Sequence, residues 1–198
     1  MERAIIIFAM AMIVTGLGYC NKSHAADNTI LIDQIGNNNT TTIVQDGSGN
    51  SASVKTGTAL GIDYNTFSIT QQGNNKTASI ELKSGISNTF NIQQDGNGNH
   101  SANIQNFIGS GNSVSVTQQG AGNHIFNATN ASNNTNNGNT ITSTQSGGVG
   151  ADKQFDLMLS GATGATVIIQ QTNPTTPNQG GMNIQCTSCG GTWSYIRQ

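Results

Sequence analysis

Few residues in this sequence could do covalent or metal chemistry. Cys186 and Cys189 form a C-T-S-C pair, and Cys20 stands alone near the start. Four readings of the pair remain open. A local disulfide suits an exported protein. Free thiols or intermolecular bridges are a second reading. A redox pair needs a preceding strand–helix context that this sequence lacks. A zinc half-site needs a second Cys or His pair, and none is present. His100 and His124 each follow a turn asparagine and read as exposed turn histidines. Asp33, Asp46, Glu81 and Asp95 fall at strand or turn positions with solvent-facing parity. There is no Ser-His-Asp order, no carboxylate pair in a plausible cleft, no phosphate loop and no metal-ligand spacing. The reading is therefore not an enzyme, with no catalytic, cofactor-binding or metal-binding residue assigned and no cofactor expected.

The residues that do recur at fixed spacing are amides. The pattern N-x-h-x-h-x-Q-x-G, with h apolar, fits Asn28, Ile30, Ile32, Gln34 and Gly36. It fits Asn65, Phe67, Ile69, Gln71 and Gly73, then Asn88, Phe90, Ile92, Gln94 and Gly96, then Asn112, Val114, Val116, Gln118 and Gly120. Looser copies run Asn39, Thr41, Ile43, Gln45, Gly47 and Asn139, Ile141, Ser143, Gln145, Gly147. Val167, Ile169 and Gln171 suggest another, with Asn173 in the glycine position. From Gln45 onward the glutamines lie 23 to 27 residues apart. Most units have a second half: Asn50, Ala52 and Val54; Ala78 and Ile80; Asn123 and Ile125. Ala102 and Ile104 fit if one residue is inserted after Asn99. Gln34 and Gln45 are only eleven apart, so the first half-unit reads as an extra strand ahead of the series.

Elements must position those amides, and the period names them. Alternation over five to seven residues means strand, with the Asn, both apolar residues and the Gln on one face. Glycine supplies backbone angles that L-residues resist. A unit of strand, tight turn, strand and looser turn cannot bury its face alone. Stacked units close that face into a β-solenoid of about six to seven rungs. Stacked amides then donate to one rung and accept from the other, which satisfies them inside a core. Gly57–Tyr64 and Asn127–Gly138 read as surface loops. From Gly148 the pattern loosens, although Phe155, Leu157 and Leu159 still alternate, and Trp193 is the one tryptophan. The expected divisions are 1–25 signal peptide, 26–147 repeat solenoid and 148–198 irregular rungs or cap.

The start of the sequence reads as an export signal. Arg3 precedes an apolar run from Ala4 to Leu17, and Ser23-His24-Ala25 offers small residues at a cleavage site. Cleavage is placed after Ala25. The run falls short of the ~20 residues a membrane span needs, and no later segment is a candidate. The mature protein has five basic residues against eight acidic ones. No charged residue lies between Asp95 and Asp152. Without a basic footprint, nucleic acid is not an expected partner.

These units resemble curlin repeats, the building blocks of extracellular amyloid fibres called curli, whose repeat reads roughly S/N-x5-Q-x-G-x2-N-x5-Q. Asn28 to Gln45 is similar to it throughout. The resemblance covers Asn28 to Gly147 and reaches faintly to Gln171. The sequence departs from the pattern at Lys76, where an asparagine belongs, and at Leu82, in a second-glutamine position. It also lacks the addressing segment that curlins carry between signal and first repeat. The resemblance implies a fibre subunit that partners itself and another curlin-type subunit, leaves through an outer-membrane secretion pore, and acts in adhesion and biofilm matrix. Assembly would proceed by strand pairing between end rungs, with Lys76, Glu81, Lys83 and Asp95 as gatekeepers against premature pairing. The alternative is a monomeric β-solenoid adhesin or ice-binding module.

Overall fold

The computed structural model describes residues 27–57, 61–130 and 134–198. The expected signal peptide, with Cys20 and His24, lies outside them. Every regular element among the described residues is a strand. The strands are β1 (Thr29–Asp33), β2 (Thr40–Asp46), β3 (Ser51–Thr56), β4 (Thr66–Gln72), β5 (Thr77–Ser84) and β6 (Thr89–Asp95). They continue as β7 (His100–Ile108), β8 (Ser113–Gly120), β9 (His124–Asn130), β10 (Thr140–Gly147), β11 (Lys153–Gln171) and β12 (Asn178–Arg197).

Alternation in sequence becomes alternation in space. The odd-numbered strands β1, β3, β5, β7 and β9 pair in parallel into one layer. The even-numbered strands β2, β4, β6, β8 and β10 pair in parallel into a second. β11 and β12 are long enough to run through both, the first part of β11 on β9 and its last part on β10. The result is the β-solenoid that the repeats imply. Residues 153–197 continue its stack, and the crossing of β11 between layers falls at register slips around Ala162.

The two inward faces make one core. Phe90 of β6 meets Phe107 of β7 edge-on at 5.6 Å, and Phe155 of β11 meets Tyr195 of β12 at 5.0 Å. Along the stack Phe67 lies parallel to Phe90 at 5.6 Å. Val54, Ile69, Ile80, Ile92, Ile104, Val114, Val116, Ile141, Val167 and Ile169 are buried beside them. Burying each such residue stabilises by roughly 1.5–3 kcal/mol, a gain that a repeat of two short strands could not collect without neighbours. The tight turns are fixed by close approach. Gly96 has φ +103°, and a Cβ there would sit 2.4 Å from the Gly120 carbonyl oxygen. Gly47, Gly73 and Gly120 stand in the same relation to the glycine of the following turn.

Four expectations are corrected here. Ile125 faces out, 38% exposed, while Phe126 is buried. In register Ala78 and Phe126 share a column, seven residues after Gln71 and eight after Gln118, and such a one-residue slip exchanges the two faces of a strand. Ile30 is inward in register but 37% exposed, and Ile32 and Ile43 are half-buried, because no rung among the described residues covers β1 and β2 from outside. The segment Asn127–Gly138 is not wholly loop: its first residues finish β9, and Asn136 is buried, accepting from Ala162 N at 3.1 Å. In the Gly57–Tyr64 segment, Ile62 is fully buried.

Candidate assembly site: amide ladders and open edges

The even layer holds two amide columns. Gln45 Nε2 donates to Gln71 Oε1 at 2.8 Å, Gln71 to Gln94 at 2.9 Å and Gln94 to Gln118 at 2.8 Å. Gln118 donates to Gln145 and Gln145 to Gln171, both at 2.8 Å. Each Nε2 spends its second hydrogen on the odd layer, as Gln94 does on Thr77 O at 2.9 Å. The buried amides are thereby paired, which removes the penalty of enclosing them. The asparagine column runs the other way. Asn65 Nδ2 donates back to Asn39 Oδ1, Asn88 to Asn65, Asn112 to Asn88 and Asn139 to Asn112, at 2.9–3.1 Å. The column ends where Ala165 N donates to Asn139 Oδ1 at 2.8 Å. Gly147 closes the glycine column, packed against Ala151.

Asn28, Gln34 and Gly36 are not members of these columns, contrary to the expectation. β1 lies in the odd layer on β3, so Asn28 stacks on Asn50, whose N donates to Asn28 Oδ1 at 3.0 Å. Gln34 instead accepts from Thr41 Oγ1 at 2.7 Å. Gly36 sits against Ile62 O. The half-unit motif is shared by both halves of the repeat, so the motif alone does not assign a layer.

The odd layer has its own column, of which the repeat places only Asn50 and Lys76. Its members are Asn28, Asn50, Lys76, His100, His124, Lys153 and Asn178. Asn50, Lys76, His100, His124 and Lys153 are all buried. Both histidines were expected in solvent, but the extra turn residue turns them inward and leaves Asn99 and Asn123 exposed. Lys76 is likewise no surface gatekeeper. The lysines and histidines close turns by engaging backbone carbonyls. Lys76 Nζ donates to Gly96 O at 2.7 Å and to Gly98 O at 3.0 Å. His100 Nε2 lies 2.8 Å from Asp95 O, and His124 Nε2 2.9 Å from Gln119 O. Lys153 Nζ donates to Asn173 O at 2.8 Å and to Thr176 O. Burial depresses all four proton affinities, with His100 lowered to about 4, against smaller opposing contributions from Asp95 and Asp152. The Nδ1 atoms of both histidines are buried without a partner.

The stack ends in open edges. Among the described residues, β1 pairs only with β3 and β2 only with β4, while β12 pairs only with β11. An open edge offers unpaired N–H and C=O groups to another strand. Cys186 and Cys189 are joined by a disulfide where β12 passes between layers. Among the described residues, no cluster of His, Cys, Asp and Glu could hold a metal ion, and no helix is long and apolar enough to cross a membrane.

No curated protein and no solved structure matches the sequence. Residues 25–55, which build β1, β2 and most of β3, match the family model described as the Curlin associated repeat. The rungs that follow reuse the same geometry, so the stretch similar to the curlin-associated repeat stands at the N-terminal side of a stack of structurally equivalent units.

Proposed function

We propose that the protein is a secreted structural subunit of curli-like extracellular amyloid fibres, with roles in cell adhesion and biofilm matrix. The observation that carries this reading is the pair of open edges on a stack whose columns already match rung to rung. A further copy can extend the stack by laying its β1 and β2 on the edge of β12. A heterologous contact of this kind does not close, so it generates a filament. The export signal at residues 1–25, with passage through an outer-membrane pore and contact with a second curlin-type subunit, belongs to the same proposal.

The test is incubation of residues 26–198 refolded from denaturant, followed by thioflavin T fluorescence, imaging and fibre diffraction. Fibres with a spacing near ~4.8 Å that seed fresh monomer are expected. A persistently soluble, cooperatively folding monomer would sink the reading in favour of a monomeric adhesin.

A further inference from the structure

The two ends of the stack differ in charge and in hydrogen-bonding capacity. The N-terminal rung, residues 27–50, contains Asp27, Asp33 and Asp46 and no basic residue. The C-terminal rung, residues 178–198, contains Arg197 and no acidic side group. Arg197 also occupies a particular column. Register carries the glutamine column from Gln45 through Gln171, and the partner of Gln171 on β12 is Arg197. The last position of a ladder of amides is thus a guanidinium, which has donors only.

The ladder has a direction. Every Nε2 points toward the C-terminal rung, and from Gln71 onward every Oε1 accepts from the rung before it. Gln45 has no rung before it. Its Oε1 is enclosed and receives no hydrogen bond, and among the described ladder glutamines it stands alone in this. A rung laid on β1 and β2 in the solenoid's own register would bring its position-197 residue over Gln45, next to Asp46. Arg197 is exposed at the open edge, its Cζ 5.9 Å from the Tyr195 ring centroid.

We propose that Arg197 is the polarity key of a head-to-tail junction between two copies of this protein, continuing the glutamine column by donating to Gln45 of the next copy, while Asp46, on the outward face of the same strand, attracts it during the encounter. This rests on the self-assembly reading above and deepens it. The junction joins β12 of one copy to β1 and β2 of another. It disfavours the head-to-head contact, which brings the acids of two N-terminal rungs together. Docking must shift the groups that now screen Gln45 Oε1, so the guanidinium first meets the exposed Asp46 carboxylate and steers the encounter.

Seeded elongation of full-length mature protein tests this with R197E, D46R, R197Q and the double variant R197E/D46R. Both charged positions are exposed, so circular dichroism and the urea midpoint of each monomer should match the parent. R197E and D46R each are expected to elongate about tenfold more slowly at low salt, the scale of electrostatic steering. The charge-swapped double variant should regain the electrostatic part of the loss but not the donor to Gln45, so it should elongate faster than R197E and more slowly than the parent, and R197Q, which keeps an amide donor, should stay within a few-fold of the parent. Equal rates for R197E and the parent, or no recovery in the double variant, would overturn the junction. A parent protein that never elongates from seeds overturns the self-assembly reading itself, and that outcome is distinct.

Discussion

The imidazole rings of His100 and His124 lie parallel on consecutive rungs, 4.9 Å between centroids, buried between Lys76 and Lys153 in one column. Each ring meets a turn carbonyl through Nε2, and a carbonyl only accepts, so Nε2 carries the hydrogen. Nδ1 is then a bare lone pair. Protonating it at His100 would place a buried N–H with no acceptor next to another cation.

Stability should therefore fall in mild acid. Burial lowers His100 to about 4 from 6.5 and lowers His124 in the same direction. The unfolded state takes up protons first as pH falls, and stability drops from about pH 6.5 downward until the folded-state values are passed. Urea midpoints of the monomer should be flat above about pH 7 and decline between about pH 6.5 and 4. The variant H100N/H124N, which puts at both positions the residue found at Asn50, should lose most of that decline. An unchanged profile in the double variant would remove the histidines from the account.

Gln118→Leu should destabilise the monomer by roughly 2–5 kcal/mol, because it strands the Gln94 Nε2 donor and the Gln145 Oε1 acceptor inside the core. Gln45→Leu, at the open end, leaves Gln71 Oε1 unpaired together with the exposed Thr29 carbonyl, and should cost about half as much or less. Equilibrium denaturation of the pair reads the difference directly.

Ser143 stands between Val116 and Ile169 in the core column, fully buried, and its hydroxyl has no partner. Ser143→Val should stabilise the protein by about 1 kcal/mol, since it removes an unpaired polar group and adds apolar volume. A lower melting temperature in this variant would contradict the packing described.

Gly96→Ala should be far costlier than Gly150→Ala. Both residues have positive φ, so both pay roughly 1–2 kcal/mol for an added Cβ. At Gly150 nothing lies within 4 Å, whereas at Gly96 the Gly120 carbonyl lies at 2.4 Å and cannot withdraw without opening the turn. Gly96→Ala is expected to abolish cooperative folding, and Gly150→Ala to shift the melting temperature by a few degrees.

Much of this fold is legible in the sequence because its rules are short-ranged. Phe67, Ile69, Gln71 and Gly73 are separated by fixed steps, and period two decides which face each takes. The glutamine column is readable for a chemical reason, since only stacking explains an amide where Leu would otherwise sit. The layer of β1 is not readable, because Asn28 to Gln34 obeys the same pattern as Asn39 to Gln45. The choice between Ile125 and Phe126 is hidden as well. Both are apolar and adjacent, and one extra residue before His124 decides between them. The column through Lys76, His100 and Lys153 is legible only at Asn50 and Lys76, where the repeat calls for asparagine; at His100 and His124 the extra turn residue hides it, because the asparagine falls one position early.

The two amide columns of the even layer have opposite directions, and that has an electrical result. Along the glutamine column the amide C=O to N–H vectors point toward the C-terminal rung, and along the asparagine column they point back. Their axial moments oppose one another rung by rung. A filament built from such rungs would accumulate little dipole from its Asn and Gln amides as it lengthens, so its tips would stay electrically alike apart from the charges of the terminal rungs themselves.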